Sequence, residues 1–169
     1  MKSSSDSALL PPKPTGLRKW VYALPRYLYA LHLGWLFDHK FLLLTHRGRK
    51  TGLIRRTVIA VMLYDRRKQE SMVLAGYGKD SDWYRNLQAH PALEIQTGFR
   101  RYRPTQRFLT EEEVYALLTR FAHHIRFALR VASYTTFDGT EQQLRALAKV
   151  IGGVAFSPQA EVPPSDHQP

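Results

Sequence analysis

The residues best suited to chemistry lie in one short segment between Thr45 and Thr57. Gly48 and Gly52 bracket a turn there that lets the backbone approach a ligand closely, and the Thr51 hydroxyl adds a hydrogen-bond donor. The segment carries five cations and no acid, namely Arg47, Arg49, Lys50, Arg55 and Arg56. Such charge-assisted donors predict a seat for phosphate or carboxylate. An exposed hairpin tip with solvated charges explains the same residues equally well.

A second candidate segment runs from Val73 to Leu87, where a predicted strand enters a pair of glycines and a helix leaves. Gly76 and Gly78 form the turn, and Asp80 or Ser81 is the expected N-cap. Backbone N–H groups and the positive end of a helix then point to the same place, as in an anion site. A single Gly-x-Gly is weak evidence, however, and an ordinary strand-to-helix turn is the simpler interpretation.

The amino-acid composition excludes some kinds of catalytic site and indicates which ligands the surface favours. The chain has no cysteine, which excludes thiol nucleophiles, iron–sulfur clusters and disulfides, and a reducing cytoplasm is the expected location. No metal site is predicted, because the histidines are isolated or, at His123 and His124, adjacent on a helix and so pointing apart. A formal net charge of +11 favours phosphates, anionic lipid or acidic small molecules as partners.

The elements that must position these segments follow from periodicity and turn residues. Helical periodicity predicts helices over 17–37 with a break at Pro25, and over 81–90, 110–134 and 140–150. Short β-branched and aromatic runs predict strands over 41–45, 53–64, 70–75, 92–97 and 99–109. Strands without regular β–α alternation predict an α+β fold, a partly closed antiparallel barrel with flanking helices.

The length of 169 residues predicts one domain. Residues 1–15 lack the apolar core of a signal peptide and are expected to be a flexible arm. Residues 16–156 are expected to form the domain, and the proline-containing residues 157–169 a disordered tail.

The two candidate segments together resemble a known family, the deazaflavin-dependent nitroreductases, whose split β-barrel is shared with FMN-binding reductases. The matching blocks are Leu42-Leu43-Leu44-Thr45 leading to Gly48-Arg49-Lys50-Thr51-Gly52 and Arg55, and Trp83-Tyr84-Arg85-Asn86-Leu87-Gln88-Ala89-His90-Pro91. The resemblance covers residues 38–110. It implies an F420H2-dependent oxidoreductase that transfers a hydride from reduced deazaflavin to a quinone, a nitro compound or a similar small acceptor.

The resemblance also implies roles for individual residues. Arg49, Lys50 and Arg55, with the Thr51 hydroxyl, would hold the phosphate and acidic tail of coenzyme F420. The ring would be framed by Thr57, Val58, Ala75, Tyr77 and the Gly76–Gly78 turn, with Trp83 supporting the site from behind. Tyr77 and Tyr134 are the candidate proton donors. Two departures from the family pattern are Ile54, in place of a proline, and His46-Arg47, in place of small hydroxyl residues.

Three alternatives remain open at this point. The same barrel could use FMN, which also offers a phosphate and a tricyclic ring. A nucleic-acid-binding module is a different class of function, suggested by the alternating basic and aromatic residues Arg100, Arg101, Tyr102, Arg103 and Arg107. Peripheral attachment to the inner face of a membrane through residues 1–37 would suit a lipophilic quinone. Monomer and homodimer are equally compatible with the sequence.

Overall fold

The computed structural model describes residues 40–122 and 139–159. The predicted arm, the N-terminal helix over 17–37 and Tyr134 lie outside these ranges. Within them the chain forms seven strands and three helices. In chain order these are β1 (Phe41–Arg47), β2 (Ile54–Asp65), β3 (Glu70–Leu74), α1 (Asp82–Ala89), β4 (Glu94–Thr97), β5 (Arg100–Tyr102), β6 (Pro104–Phe108), α2 (Glu111–Arg120), α3 (Glu141–Val150) and β7 (Gly153–Pro158).

The strands form one sheet in the order β5-β4-β1-β2-β3-β7-β6, and every neighbouring pair is antiparallel. The two edge strands, β5 and β6, are consecutive in the chain with Arg103 alone between them. The edges of the sheet therefore converge, and the sheet closes almost completely into a barrel. The predicted α+β split antiparallel barrel is confirmed.

Strand β2 serves both halves of the barrel. Its first half pairs with β1 from Ile54 to Ala60, and its second half pairs with β3 from Val61 to Asp65. The pairing with β3 shifts register between Val61 and Leu63, an irregularity that increases local bend and twist. This bend lets one long strand turn from one half of the barrel into the other.

The inner face of the barrel is mainly apolar, and it becomes polar where β1 ends. Because side chains alternate along a strand, Leu42 and Leu44 of β1 face inward together with His46, and Leu44 lies opposite Thr57 of β2. The leucines join a buried core centred on the fully buried Phe156 of β7. The polar side chains thus replace apolar ones where β1 ends and β2 begins.

A second apolar cluster lies between the sheet and the helices α2 and α3. It contains Leu117 and Leu118 of α2 together with Leu144 and Leu147 of α3. The predicted capping box at the start of α2 is confirmed: the Thr110 hydroxyl accepts from the Glu113 backbone N–H, and the Glu113 carboxylate accepts from Thr110 N.

The structure differs from the sequence-based expectations in two strands, and the helix predicted over 110–134 ends at Arg120. The single strand predicted over 99–109 is wrong, because β5 and β6 are separate strands on opposite edges of the sheet. Pro104, which has no N–H to donate, begins the edge strand β6. Strand β7 was not predicted; it extends through Pro158 and includes the first two residues of the predicted tail.

Candidate functional site

A cavity of about 600 Å³ opens where β2, the loop after β3 and α1 meet. Its apolar wall is formed by Val58, Ile59, Leu74 and Trp83. The polar side chains around it are His46, Arg55, Arg56, Thr57, Ser81, Asp82 and Asn86, and the loop contributes Gly76 and Tyr77. A mainly apolar cavity with a few converging polar groups is the usual form of a small-molecule site.

A smaller hollow of about 200 Å³ lies beside this cavity, at the turn between β1 and β2. It is lined by Gly48, Arg49, Lys50, Thr51, Arg55, Asp82 and Asn86. The last three of these residues also line the larger cavity. The basic segment is therefore a hairpin tip, and it also borders a site.

The glycines of the hairpin are required by its geometry. Gly48 N donates to the carbonyl of Leu53 at 2.8 Å, and Gly52 N donates to the carbonyl of Gly48 at 2.8 Å. A Cβ on Gly48 would lie 2.9 Å from the Thr51 hydroxyl oxygen, and Gly52 has a φ of 68°, in the left-handed region. A side chain at either position would distort the turn that presents the cations.

Arg49 joins the hairpin to α1. Its backbone N–H and its Nη1 both donate to Asn86 Oδ1, at 3.0 and 2.9 Å, and its Nη2 forms a 3.0 Å ion pair with Asp82. The guanidinium predicted to hold an anion is thus already engaged by a carboxylate and an amide. The hairpin has no acid of its own in the sequence, and the fold supplies one from the first turn of α1.

His46 continues this network into the barrel. Its Nδ1 lies 3.2 Å from Asn86 Nδ2, and its Nε2 lies 3.1 Å from the Thr57 hydroxyl oxygen. Burial of the ring lowers the pKa of His46 below its ordinary value, and the nearby positive charge of Arg55 lowers that pKa further. The backbone of Arg47 and the Asp82 carboxylate act in the opposite direction. Desolvation therefore favours the neutral imidazole.

The loop after β3 is a tight turn. Gly78 has a φ of 82°, its N–H donates to the carbonyl of Ala75, and its carbonyl accepts from both the N–H and the hydroxyl of Ser81. Ser81 is the N-cap residue of α1, as one of the two predicted candidates, but its hydroxyl does not cap the helix. The turn holds Gly76 and Tyr77 at the cavity wall.

The structure brings together most of the residues singled out from the sequence. Arg55, Thr57, Val58, Gly76, Tyr77 and Trp83 line the larger cavity, and Arg49, Lys50, Thr51 and Arg55 line the smaller one. Trp83 forms part of the wall itself and packs edge-to-face on Tyr84. Ala75 is fully buried in the core and Gly78 is buried in the turn, so neither lines the cavity. Tyr134 lies outside the described residues.

Sequence reasoning missed several residues that line the larger cavity, among them the three polar residues His46, Asp82 and Asn86. The alternation Leu42, Leu44, His46 could have placed the histidine on the inner face of β1. Nothing in the sequence pairs it with an asparagine that lies 40 positions later.

Comparison with known proteins identifies the chain. A family model described as F420H(2)-dependent quinone reductase matches residues 26–144. The chain belongs to this family. It is therefore an F420H2-dependent reductase, an oxidoreductase that acts on a small-molecule acceptor. No curated protein matches it.

One of the similar solved structures supports the fold of this reductase. A pyridoxamine 5'-phosphate oxidase-related, FMN-binding protein from Nostoc punctiforme PCC 73102 is 11% identical with a TM-score of 0.52, and the match covers 85% of this chain and 82% of that one. An F420-H2 dependent reductase, FDR-A, is 22% identical with a TM-score of 0.43, and the match covers 71% of this chain and 96% of that one.

The basic stretch suggested for nucleic acid has other contacts in this reductase. Tyr102 packs against the barrel core, Arg107 binds the carboxylates of Glu70 and Glu113, and Arg100 donates to Gln69. The aromatic face needed for base stacking is thus turned inward. For the membrane alternative, no helix among the described residues is long and apolar enough to span a bilayer.

Proposed function

We propose that the larger cavity seats the ring of F420 and that the smaller hollow binds its phosphate and acidic tail. The observation that carries this proposal is that a cavity of about 600 Å³ with an apolar wall adjoins a hollow lined by cations, with Arg55 shared between them. A ligand with a flat apolar ring and an anionic tail matches that pairing.

Lys50, Thr51 and Arg55 are the proposed direct contacts of the anionic tail. Within the described ranges, Arg49 has a carboxylate partner, and no ion pair is found for Lys50 or Arg55. We therefore assign Arg49 to holding the hairpin against α1, and the two other cations to the ligand. Charge-assisted donors of this kind contribute more to binding than neutral ones.

The proposed ring contacts are Thr57, Val58, Gly76, Tyr77 and Trp83. The apolar wall would exclude water from one side of the ring, and the turn at Gly76 leaves room for a ligand because it bears no side chain. Bound in its reduced form, F420 supplies the hydride. The part of the protein is then to hold donor and acceptor in a reactive geometry.

Tyr77 is the proposed proton donor to the reduced acceptor, because it lines the cavity from the loop after β3. Tyr134, the other candidate, has no structural support because it lies outside the described residues. The proposed acceptor is a quinone, with nitro compounds as the next class.

The proposal is tested by fluorescence titration of the protein with F420 and with FMN. The Lys50→Ala/Arg55→Ala variant should bind F420 about a hundredfold more weakly, because two charge-assisted contacts are lost. The matched control is Arg66→Ala/Lys68→Ala, which removes the same number of positive charges from the exposed turn at the other end of β2. The control should bind F420 like the wild type.

Each other outcome has a definite meaning. Equal losses in both double variants would replace the proposed seat with a general effect of net charge. Preference for FMN would keep the site and change the cofactor. Binding of neither cofactor, with salt-sensitive binding of single-stranded nucleic acid, would contradict the proposal.

Membrane contact and oligomeric state belong to the same proposal as finer points. A lipophilic quinone would be reached most directly by peripheral contact between residues 1–37 and an anionic membrane. Deletion of these residues should then release the protein from anionic vesicles, and unchanged sedimentation would contradict the contact. Light scattering on the purified protein without vesicles distinguishes a monomer from a homodimer.

A further inference from the structure

A chain of polar contacts runs from the hairpin into the larger cavity through Arg49, Asn86, His46 and Thr57. His46 and Asn86 are 2% and 3% exposed, so their hydrogen bonds are made within the protein. Each link constrains the next, because every donor must face an acceptor. The donor and the acceptor of each hydrogen bond can therefore be assigned in turn, starting from Arg49.

Asn86 fixes the direction. Its Oδ1 accepts from both the backbone N–H and the guanidinium of Arg49, and both of these groups can only donate. The other arm of the amide is then the NH2 group, which faces His46 Nδ1 at 3.2 Å. His46 Nδ1 must accept from that group, so it carries no proton.

The tautomer of His46 determines whether the Thr57 hydroxyl donates or accepts in their hydrogen bond. A neutral imidazole with an unprotonated Nδ1 carries its hydrogen on Nε2. That N–H donates to the Thr57 hydroxyl oxygen over 3.1 Å. The hydroxyl hydrogen of Thr57 cannot point back at the ring and must turn to another acceptor. Among residues 40–122 and 139–159, the Thr57 hydroxyl has no hydrogen bond other than the one with His46. Because Thr57 lines the cavity, a bound ligand can supply the acceptor.

We propose that His46 is a positioning residue that fixes the Thr57 hydroxyl as a hydrogen-bond donor into the cavity. The bound ring must then present an acceptor there, such as a carbonyl oxygen or an unprotonated ring nitrogen. This inference rests on the proposed function and adds a specificity element to the same site. It also gives the buried histidine a role that neither the anion seat nor the apolar wall supplies.

The tautomer is tested on the unaltered protein by NMR correlation of the imidazole nitrogens with the ring protons, with His46 assigned through the backbone. The expected result at neutral pH is a neutral ring protonated at Nε2. A ring protonated at Nδ1 alone would reverse the chain, making Thr57 the donor to His46, and would overturn the proposal. A doubly protonated ring would also overturn it, because Nδ1 could not accept from Asn86.

The consequence for binding is tested by a double-mutant cycle with F420 as the probe. Thr57→Val should weaken F420 binding about tenfold, since one hydrogen bond to the ring is lost, and Thr57→Ser should restore most of that affinity. His46→Phe should weaken binding about threefold in the wild type and have no further effect in Thr57→Val. Thr105→Val on the exposed edge strand β6 is the matched control and should bind like the wild type.

The outcomes separate the inference from the proposed function. If the wild type does not bind F420, the proposed function fails. If the wild type binds F420 and His46→Phe weakens binding by the same factor in both backgrounds, the proposed site is supported. The positioning of Thr57 by His46 is then wrong. If His46→Phe does not fold, the tautomer together with the Thr57→Val and Thr57→Ser pair still decides the matter.

Discussion

Two arginine-centred networks tie this barrel together, and they differ in what surrounds them. Arg49 joins the β1–β2 hairpin to α1 through Asn86 and Asp82. Arg107 of β6 joins Glu70 of β3 to Glu113 of α2, with contacts of 3.0 Å and 2.8 Å. Both networks link segments that are far apart in the chain or belong to different elements.

The difference lies in the charge balance and in the neighbouring space. Arg107 faces two carboxylates, so its network has its positive charge fully compensated. The hairpin has five cations, and Asp82 is the acid that lines its hollow. Polar contacts alone therefore do not mark a functional site in this protein. Surplus positive charge beside an open cavity is what distinguishes the proposed site from the Arg107 network.

Within this comparison of the two networks, the largest expected effect comes from breaking the compensated one. Arg107→Met should lower the free energy of unfolding by about 2 kcal/mol, because the Glu70 carboxylate, 7% exposed, loses its partner. Urea unfolding measures this loss, and F420 affinity should stay at the wild-type level. The matched variant Arg49→Met should show the reverse pattern, a clear loss of F420 affinity with a smaller loss of stability.

A compensating change provides the check on this comparison. Adding Glu70→Gln to Arg107→Met should recover much of the lost stability, since a neutral amide costs less to bury than an unpaired carboxylate. If Arg107→Met alone weakened F420 binding as much as Arg49→Met does, the two networks would not be functionally distinct.

The two networks should also respond to acid in different pH ranges. The pKa of His46 is held below 6.5 by burial and by Arg55, so between the folded value and 6.5 the unfolded chain binds more protons. Its contribution to stability is complete above 6.5 and is lost as the pH falls below that value. The pKa of Glu113 is held below 4.5, chiefly by the Thr110 backbone N–H and then by Arg107, so its contribution is lost only below 4.5.

Urea midpoints measured from above pH 6.5 to below pH 4.5 test this expectation. His46→Phe should remove the part of the pH dependence that begins at 6.5 and leave the lower part. An unchanged profile in this variant would contradict the assignment of the upper range to His46.

The smallest expected effect comes from increasing the surplus charge. Asp82→Asn removes the acid from the hollow and should strengthen F420 binding about threefold at low salt, because an exposed charge acts weakly and is screened. The side chain is 82% exposed, so the gain should shrink as salt is added. Weaker binding would mean that holding Arg49 in place matters more than the repulsion that Asp82 exerts on an anion.

Much of the fold could be predicted because its signals are local. The capping box at Thr110, the glycines at both ends of the β1–β2 turn and the β-branched runs each act over a few residues. Strand β7 was missed because two glycines precede its short apolar core and a proline ends it, a composition typical of loops. The break at Arg103 is signalled by Pro104, but the strand-favouring residues Tyr102, Thr105 and Phe108 around it suggest one continuous strand.

The candidate site was predicted in part, and the reason is similar. The cations are contiguous in the sequence, so their collective charge is visible there. The contacts that decide their roles are not local: Arg49 meets Asn86 across 37 positions, and His46 meets the same residue across 40. The family resemblance implies that Ala75 is a ring contact, whereas the fold buries it in the core.

The position of β7 in the sheet also sets a constraint on how the chain is made. This strand lies between β3 and β6 and pairs Ser71 with Phe156 and Gln106 with Phe156. The residue just before it also holds the loop of the cavity, since Ala75 N donates to the carbonyl of Gly152. During synthesis, β3 and β6 therefore each keep an unpaired edge until residues 153–158 have been made. Until then, the edges of β3 and β6 that β7 covers are open to pairing with another chain, which favours aggregation in that interval.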